Sequence, residues 1–121
     1  MIFVVDIHNL FLANEKEIFI YKNKTLINKR LTFTDINGDA WSFALAIGYT
    51  FKIWEEREGG FLMIDWDDTN LSLSTSDTNE ILLNAPATDT NIERGKYYYE
   101  IEYLVDGGYT ILIAYGTANI I

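Results

Sequence analysis

In the stretch YYYEIEYLV, residues 97–105, apolar and polar side chains take turns. Tyr97, Tyr99, Ile101, Tyr103 and Val105 share one face, and Tyr98, Glu100 and Glu102 share the other. A period of two is the signature of a strand with one face on a core and one in water. The same period recurs in LTFT (31–34), YTFKIWE (49–55) and LSLS (71–74), in segments rich in the Thr, Tyr, Phe, Ile and Trp that favour pleated surfaces. Turn residues separate the runs at short intervals: Asn37-Gly38, Gly48, Gly59-Gly60, Asp67 to Asn70, Asp77 to Asn79, Asn84 to Thr90, Gly95 and Gly107-Gly108. The pattern predicts strands over 2–7, 17–22, 26–34, 40–45, 49–56, 61–66, 71–75, 80–83, 96–105 and 109–115. No apolar spacing supports a helix longer than one turn, placed at Thr90 to Arg94. Many short strands at regular spacing predict an all-β, antiparallel sandwich of about seven to ten strands in one domain, residues 1–121. Residues 1–12 form a possible N-terminal strand or docking arm.

A chain of 121 residues, 49% hydrophobic, has enough apolar surface to fold around a core without disulfides or a structural metal. It has no cysteine, which removes thiolate chemistry and leaves the compartment open. Eighteen acidic against nine basic side chains give a net charge of −9, which repels a phosphate backbone and an anionic membrane surface. Neither a nucleic-acid nor a membrane partner is therefore expected. The N-terminal run lacks a basic leader region and is interrupted by Asp6 and His8, so no cleaved signal is expected.

Catalytic groups are sparse. One histidine, His8, lies in an apolar strand-like segment and is read as structural. Asp65, Asp67 and Asp68 offer carboxylates, but on a strand end and turn rather than in a cleft. The stretch DINGDA (35–40) places oxygens at Asp35, Asn37 and Asp39, as a calcium loop begins. Counting from Asp35, however, position 6 is Ala40 and position 12 is Ala46, where such a loop needs glycine and glutamate. As Asn-Gly it predicts instead a type I′ hairpin, with Thr32 to Thr34 up one side and Ala40 to Phe43 down the other. No enzyme, cofactor or metal site is expected.

Parity puts Trp66 with Leu62 and Ile64, and Trp41 with Phe43 and Leu45, both facing the core. Trp54 falls with Thr50, Lys52 and Glu56 on the polar face, and Tyr98 on a glutamate-lined one. Both are interface candidates. So are Phe3, Val5 and Phe11 in the apolar N-terminal segment, and Ile121 beside Ile120. Either apolar end could equally close the sandwich core.

Over residues 18–121 the successive segments LTFTDINGDAW, YTFKIWEERE, LSLS…EILLNA, ATDTNIERGKYYYEIEYLVDGG and YTILIAYGTANII resemble a known domain. It is the Ig-like N-terminal β-sandwich of the upper baseplate proteins of tailed phages, with related small virion domains. There a "tD.nG" hairpin precedes a "tfkvw" strand, and an "rGkYyYei" strand leads through a Gly turn to a closing "G.a.I" strand. The resemblance implies an Ig-like fold and a non-enzymatic structural role in the virion, assembled in the host cytoplasm. Partners would be other capsid or tail and baseplate proteins in a multi-copy assembly. Those baseplate proteins carry further C-terminal modules and this chain does not, which suits a capsid decoration or a tail adaptor better. The alternative is a carbohydrate-binding or adhesion module using Trp54, Tyr98 and Tyr109 as a stacking platform.

Overall fold

A computed structural model describes residues 14–34, 38–57 and 59–121. They form two packed β-sheets. The larger is ordered β1-β9-β8-β4-β5, built from β1 (Asn14–Glu15), β4 (Ala46–Glu56), β5 (Gly59–Trp66), β8 (Gly95–Val105) and β9 (Tyr109–Ile120). The short β2 (Ile18–Ile20) continues the line of β1 along β9. The smaller sheet is ordered β3-β7-β6, from β3 (Leu26–Thr32), β7 (Glu80–Ala85) and β6 (Leu71–Leu73). With β3, β6 and β7 as strands B, D and E, and β4, β5, β8 and β9 as C, C′, F and G, this is the immunoglobulin arrangement. Pairing is antiparallel except where β1 and β2 run parallel to β9. The chain turns back after β2 to start β3 in the other sheet, so β1 and β2 must share the direction of β9.

The sandwich is all-β, as the alternation predicts, and the strand ends shift for identifiable reasons. The predicted strand 40–45 is absent. An isolated bridge joins Thr34 to Ala40, and β3 takes β7, not 40–43, as its partner. The segment instead inserts Trp41 and Phe43 into the end of the core. Phe43 meets Phe33 and Tyr103 edge-on at 5.3 and 5.1 Å, and Trp41 Nε1 donates to Tyr103 Oη at 3.1 Å. A turn closed by Ala46 N donating to Phe43 O then throws Leu45 outward, 82% exposed, against the core position expected for it. Strand β4 begins at Ala46 because the chain bulges at Ile47 to keep its pairing with β8. Gly48 is inside the strand, where its missing side chain leaves room for the Asp68 carboxylate, whose Oδ1 accepts from Tyr49 N at 2.7 Å. The helical turn sits at Ala87–Thr90, directly after Pro86, and not at Thr90 to Arg94. The predicted strand 2–7 and the hairpin tip Asp35 to Asn37 lie outside the described residues, while Gly38 takes φ +86° as a turn glycine does.

The core runs between the sheets from the Phe43 cluster to Trp66, Phe51 and Tyr99. Trp66 meets Phe51 edge-on at 5.1 Å, and Phe51 packs on Tyr99 at 5.7 Å. Tyr97, near the start of β8, donates its hydroxyl to Glu93 O at 2.6 Å, the tyrosine-corner contact of Ig-like folds. Two residues on, where antibody domains place a disulfide cysteine, stands Tyr99. Its buried hydroxyl donates to Lys16 O at 2.7 Å and ties β8 to the β1–β2 segment.

Thr90 is fully buried, and its Oγ1 accepts from Lys24 N at 3.1 Å while facing Lys24 O and Ala87 O at the same distance. Thr90→Val keeps the shape and removes the acceptor, leaving a backbone N–H without a partner. The expected cost is about 1–3 kcal/mol, measured as a lower urea midpoint with unchanged slope.

Candidate functional site: the outer face of the larger sheet

Strand register lays the outward side chains of β9, β8, β4 and β5 in rows. One row runs Thr117, Tyr98, Trp54, Leu62; the next runs Tyr115, Glu100, Lys52, Asp65. Trp54 and Tyr98, both predicted to lie on polar faces, are direct cross-strand partners. Their rings stack at 6.1 Å and 30°. The guanidinium of Arg57, just beyond β4, reaches back over Tyr98 at 5.4 Å and Tyr115 at 5.3 Å. Tyr98 Oη donates to Glu100 Oε2 at 2.8 Å. Trp54 and Tyr98 are half-buried, so the cluster presents rigid aromatic edges rather than free rings. Around it stand Glu55, Glu56, Glu100 and Glu102 with Lys52 and Lys96, a predominantly acidic rim.

Arg57, Tyr115 and Leu62 were not marked as site residues by parity, and two bulges explain why. Met63 is the extra residue between the pairs Ile53–Ile64 and Trp54–Leu62, so Leu62 leaves the core face of Ile64 and Trp66 and is 44% exposed. That corrects its expected core position. Ile113 is likewise extra between the pairs Ile101–Ala114 and Glu102–Leu112, which separates Tyr115 from the parity of the core residue Ile113. No local signal marks Arg57, since its contacts depend on the hairpin that follows it.

The other candidates fall elsewhere. Phe3, Val5, His8 and Phe11 lie outside the described residues. Ile120 is buried, and Ile121 is half-exposed with its backbone bonded to Ile20 O and Lys22 N. Tyr109 is exposed with Leu45 and Ile47 at the opposite end of the sheet. It pairs with Val105, seven residues along β8 from Tyr98, or about 23 Å at strand spacing. The three-ring sugar platform is therefore not assembled.

The carboxylates of the 65–68 cluster have separate occupations. Asp65 sits beside Lys52 on the outer face, and Asp68 caps the Tyr49 amide. Asp67 Oδ1 accepts from Thr69 N at 2.9 Å and Thr69 Oγ1 at 2.8 Å, and these bonds hold its carboxyl below the usual range. Among the described residues no group of three or more His, Asp or Glu side chains is placed to hold a metal, and no buried side-chain N or O lacks a hydrogen-bond partner. Also among them, no helix is long and apolar enough to cross a membrane. No family model matches the chain, and no curated protein matches it.

The tyrosines give the fold an alkaline limit. Burial pushes the Tyr99 hydroxyl up to about 12 from an ordinary value near 10. Burial, followed by the bond to Glu100, pushes Tyr98 higher still. A raised acid holds its proton in the folded state after the unfolded chain has lost it. Its contribution is thus complete below pH 10 and is lost as pH rises from about 10 through 12. Tyr99 alone should remove on the order of 2 kcal/mol over that window. A urea midpoint that is flat from pH 7 to 9, falls above 10, and falls less steeply in Tyr99→Phe is the expected result.

Proposed function

We propose that the chain is a non-enzymatic, Ig-like accessory subunit of a tailed-phage virion, a capsid decoration or a tail or baseplate adaptor. It docks on another virion protein through the outer face of the larger sheet. The observation that carries the docking reading is the Trp54–Tyr98 stack with Arg57 laid over Tyr98 and Tyr115. Trp, Tyr and Arg dominate interface hot spots, and rings already held by stacking lose little freedom on binding. The acidic rim favours a partner with a basic surface opposite it. The virion assignment rests on the resemblance carried by LTFTDINGDAW, YTFKIWEERE and RGKYYYEIEY, with which the Ig topology agrees.

The test is mass spectrometry of intact particles from the phage that encodes the chain, with pull-down of disassembled virion proteins on the purified chain. The expected result is the chain in the particle at many copies and capture of one capsid or tail component. Trp54→Ala should weaken that capture at least tenfold, about 1.4 kcal/mol or more, without unfolding the domain. A chain absent from the particle that captures no virion protein overturns the reading. Glycan-array binding abolished by Trp54→Ala would replace it with a carbohydrate-binding one.

A further inference from the structure

Three side chains converge at the margin of the larger sheet, where β2, β9 and β8 run side by side. Lys96 of β8 and Asn119 of β9 are direct cross-strand partners, and Glu17, between β1 and β2, reaches the same point. Asn119 is 7% exposed, and both of its amide protons are engaged. Its Nδ2 donates to Glu17 Oε2 at 3.0 Å and to Ile18 O at 3.1 Å. Lys96 Nζ donates to Asn119 Oδ1 at 3.4 Å and lies 3.7 Å from Glu17 Oε2. An amine, a buried carboxamide and a carboxylate in contact with both are thus held together by separate elements. As an ion pair, Lys96 and Glu17 are too exposed to stabilise the fold much. As chemistry the set is complete. The amine is a nucleophile once it loses a proton, the carboxamide is an acyl group, and the carboxylate stands where a proton must move.

We propose that Lys96 and Asn119 join in an isopeptide bond that the chain forms on itself, with Glu17 as the proton carrier. Glu17 takes one proton from the Lys96 ammonium. The free pair on Nζ forms a bond to Asn119 Cγ, and the Cγ–Nδ2 bond breaks as the tetrahedral centre collapses. The departing nitrogen receives the proton held by Glu17 and a second one given up by Nζ, and leaves as ammonium. Glu17 ends as the carboxylate it began as, and nothing is oxidised or reduced. The geometry suits each transfer, since Glu17 Oε2 already touches the leaving Nδ2 and stands beside Nζ. The Lys96 side chain is 75% exposed, so its torsions can bring Nζ over Cγ without repacking the sheet. Strand pairing supplies the proximity that turns amide exchange into an intramolecular step. The carboxamide is the acyl partner because an ionised carboxylate resists attack by an amine. Water favours the ammonium form of an exposed lysine, so the reaction is slow and quickens as pH rises. The product staples β8 to β9 one pair from the end of their ladder, Gly95–Ile120. It is a single self-modification and not a turnover, and it stands whatever the Trp54 face binds.

Mass spectrometry of the purified 121-residue chain, sampled over days at neutral pH and at about pH 9, tests this. The chain should become lighter than its sequence by one ammonia, faster at the higher pH. Trypsin cuts after a free Lys96 but not after an acylated one, and no Lys or Arg lies between Tyr97 and Ile121. The cross-linked chain should therefore yield residues 95–121 as one peptide, lighter by the same ammonia. Lys96→Arg changes only an exposed side chain, so the fold is kept, and it should hold its full mass and be cut after residue 96. Glu17→Gln should slow the loss at least tenfold. A parent chain that keeps its full mass and is cut at Lys96 throughout overturns the proposal. Ammonia lost while Lys96 is still cut, or lost equally from Lys96→Arg, also overturns it, because the loss then arises at another asparagine. Loss of water in place of ammonia would put the bond on a carboxylate, and an unchanged rate in Glu17→Gln would remove the proton carrier; either result overturns the scheme.

Discussion

Trp66→Ala should lower the stability of the domain by about 3–5 kcal/mol, the largest effect expected of any single truncation here. Trp66 is 1% exposed and sits where β5 closes over the core, edge-on to Phe51. Phe51 in turn packs on Tyr99, so one ring links β5, β4 and β8. Alanine would leave a large hollow between elements fixed by their own hydrogen bonds, which cannot collapse to fill it. It would also release Asp89, whose Oδ2 accepts from Trp66 Nε1 at 2.9 Å and helps hold the turn after Pro86 against the sandwich. For a domain of this size the loss corresponds to a fall in Tm of roughly 15 °C. Trp66→Phe retains most of the packing and loses the indole bond, so its cost should be smaller. A calorimetric Tm within 3 °C of the parent for Trp66→Ala would show that the ring carries no such role.

Gly116→Ala should be the most damaging one-carbon change, at about 3 kcal/mol. A Cβ built on Gly116 would stand 2.6 Å from Lys16 O, and φ there is +146°, a conformation that side-chain-bearing residues avoid. The obstacle is backbone, so no rotamer change relieves it. The β1–β2 segment would have to lift away from β9. That would remove the bond from Lys16 N to Tyr115 O at 2.9 Å and take from the buried Tyr99 hydroxyl its acceptor, Lys16 O. Two consequences can be measured: faster amide exchange at Lys16, and non-additivity with Tyr99→Phe. Once Gly116→Ala has displaced Lys16, deleting the Tyr99 hydroxyl should cost less than it does in the parent. A Gly116→Ala protein as stable as the parent would mean that the close approach is not required.

The strands that pack on one another through regular ladders were legible in the sequence because their alternation is unbroken. In β8, every residue from Tyr97 to Tyr103 faces the side its parity predicts, and β4 behaves the same way from Tyr49 to Trp54. That was enough to put Trp54 and Tyr98 on outer faces. Parity fails at Leu45, where the chain turns out of the core, and at Leu62, where one inserted residue flips the face. A glycine misled for a related reason. Gly48 was read as a turn residue, but it is inside a strand and makes room for a distant group, the Asp68 carboxylate, as Gly116 inside β9 does for the Lys16 carbonyl. DINGDA was expected to make a hairpin. The described part of it forms only a single bridge, because β7 supplies the pairing that β3 needs.

By itself the sequence determined the all-β class, the inward and outward faces of the long strands, and the poverty of catalytic groups, since each depends on residue type and a spacing of two. Only the tertiary structure decided which strands are neighbours. From that follow the stacking of Trp54 on Tyr98, the reach of Arg57 over Tyr115 and the Tyr99 tie to Lys16. These contacts join residues 44, 58 and 83 positions apart, and a local period carries no information about contacts at such separations.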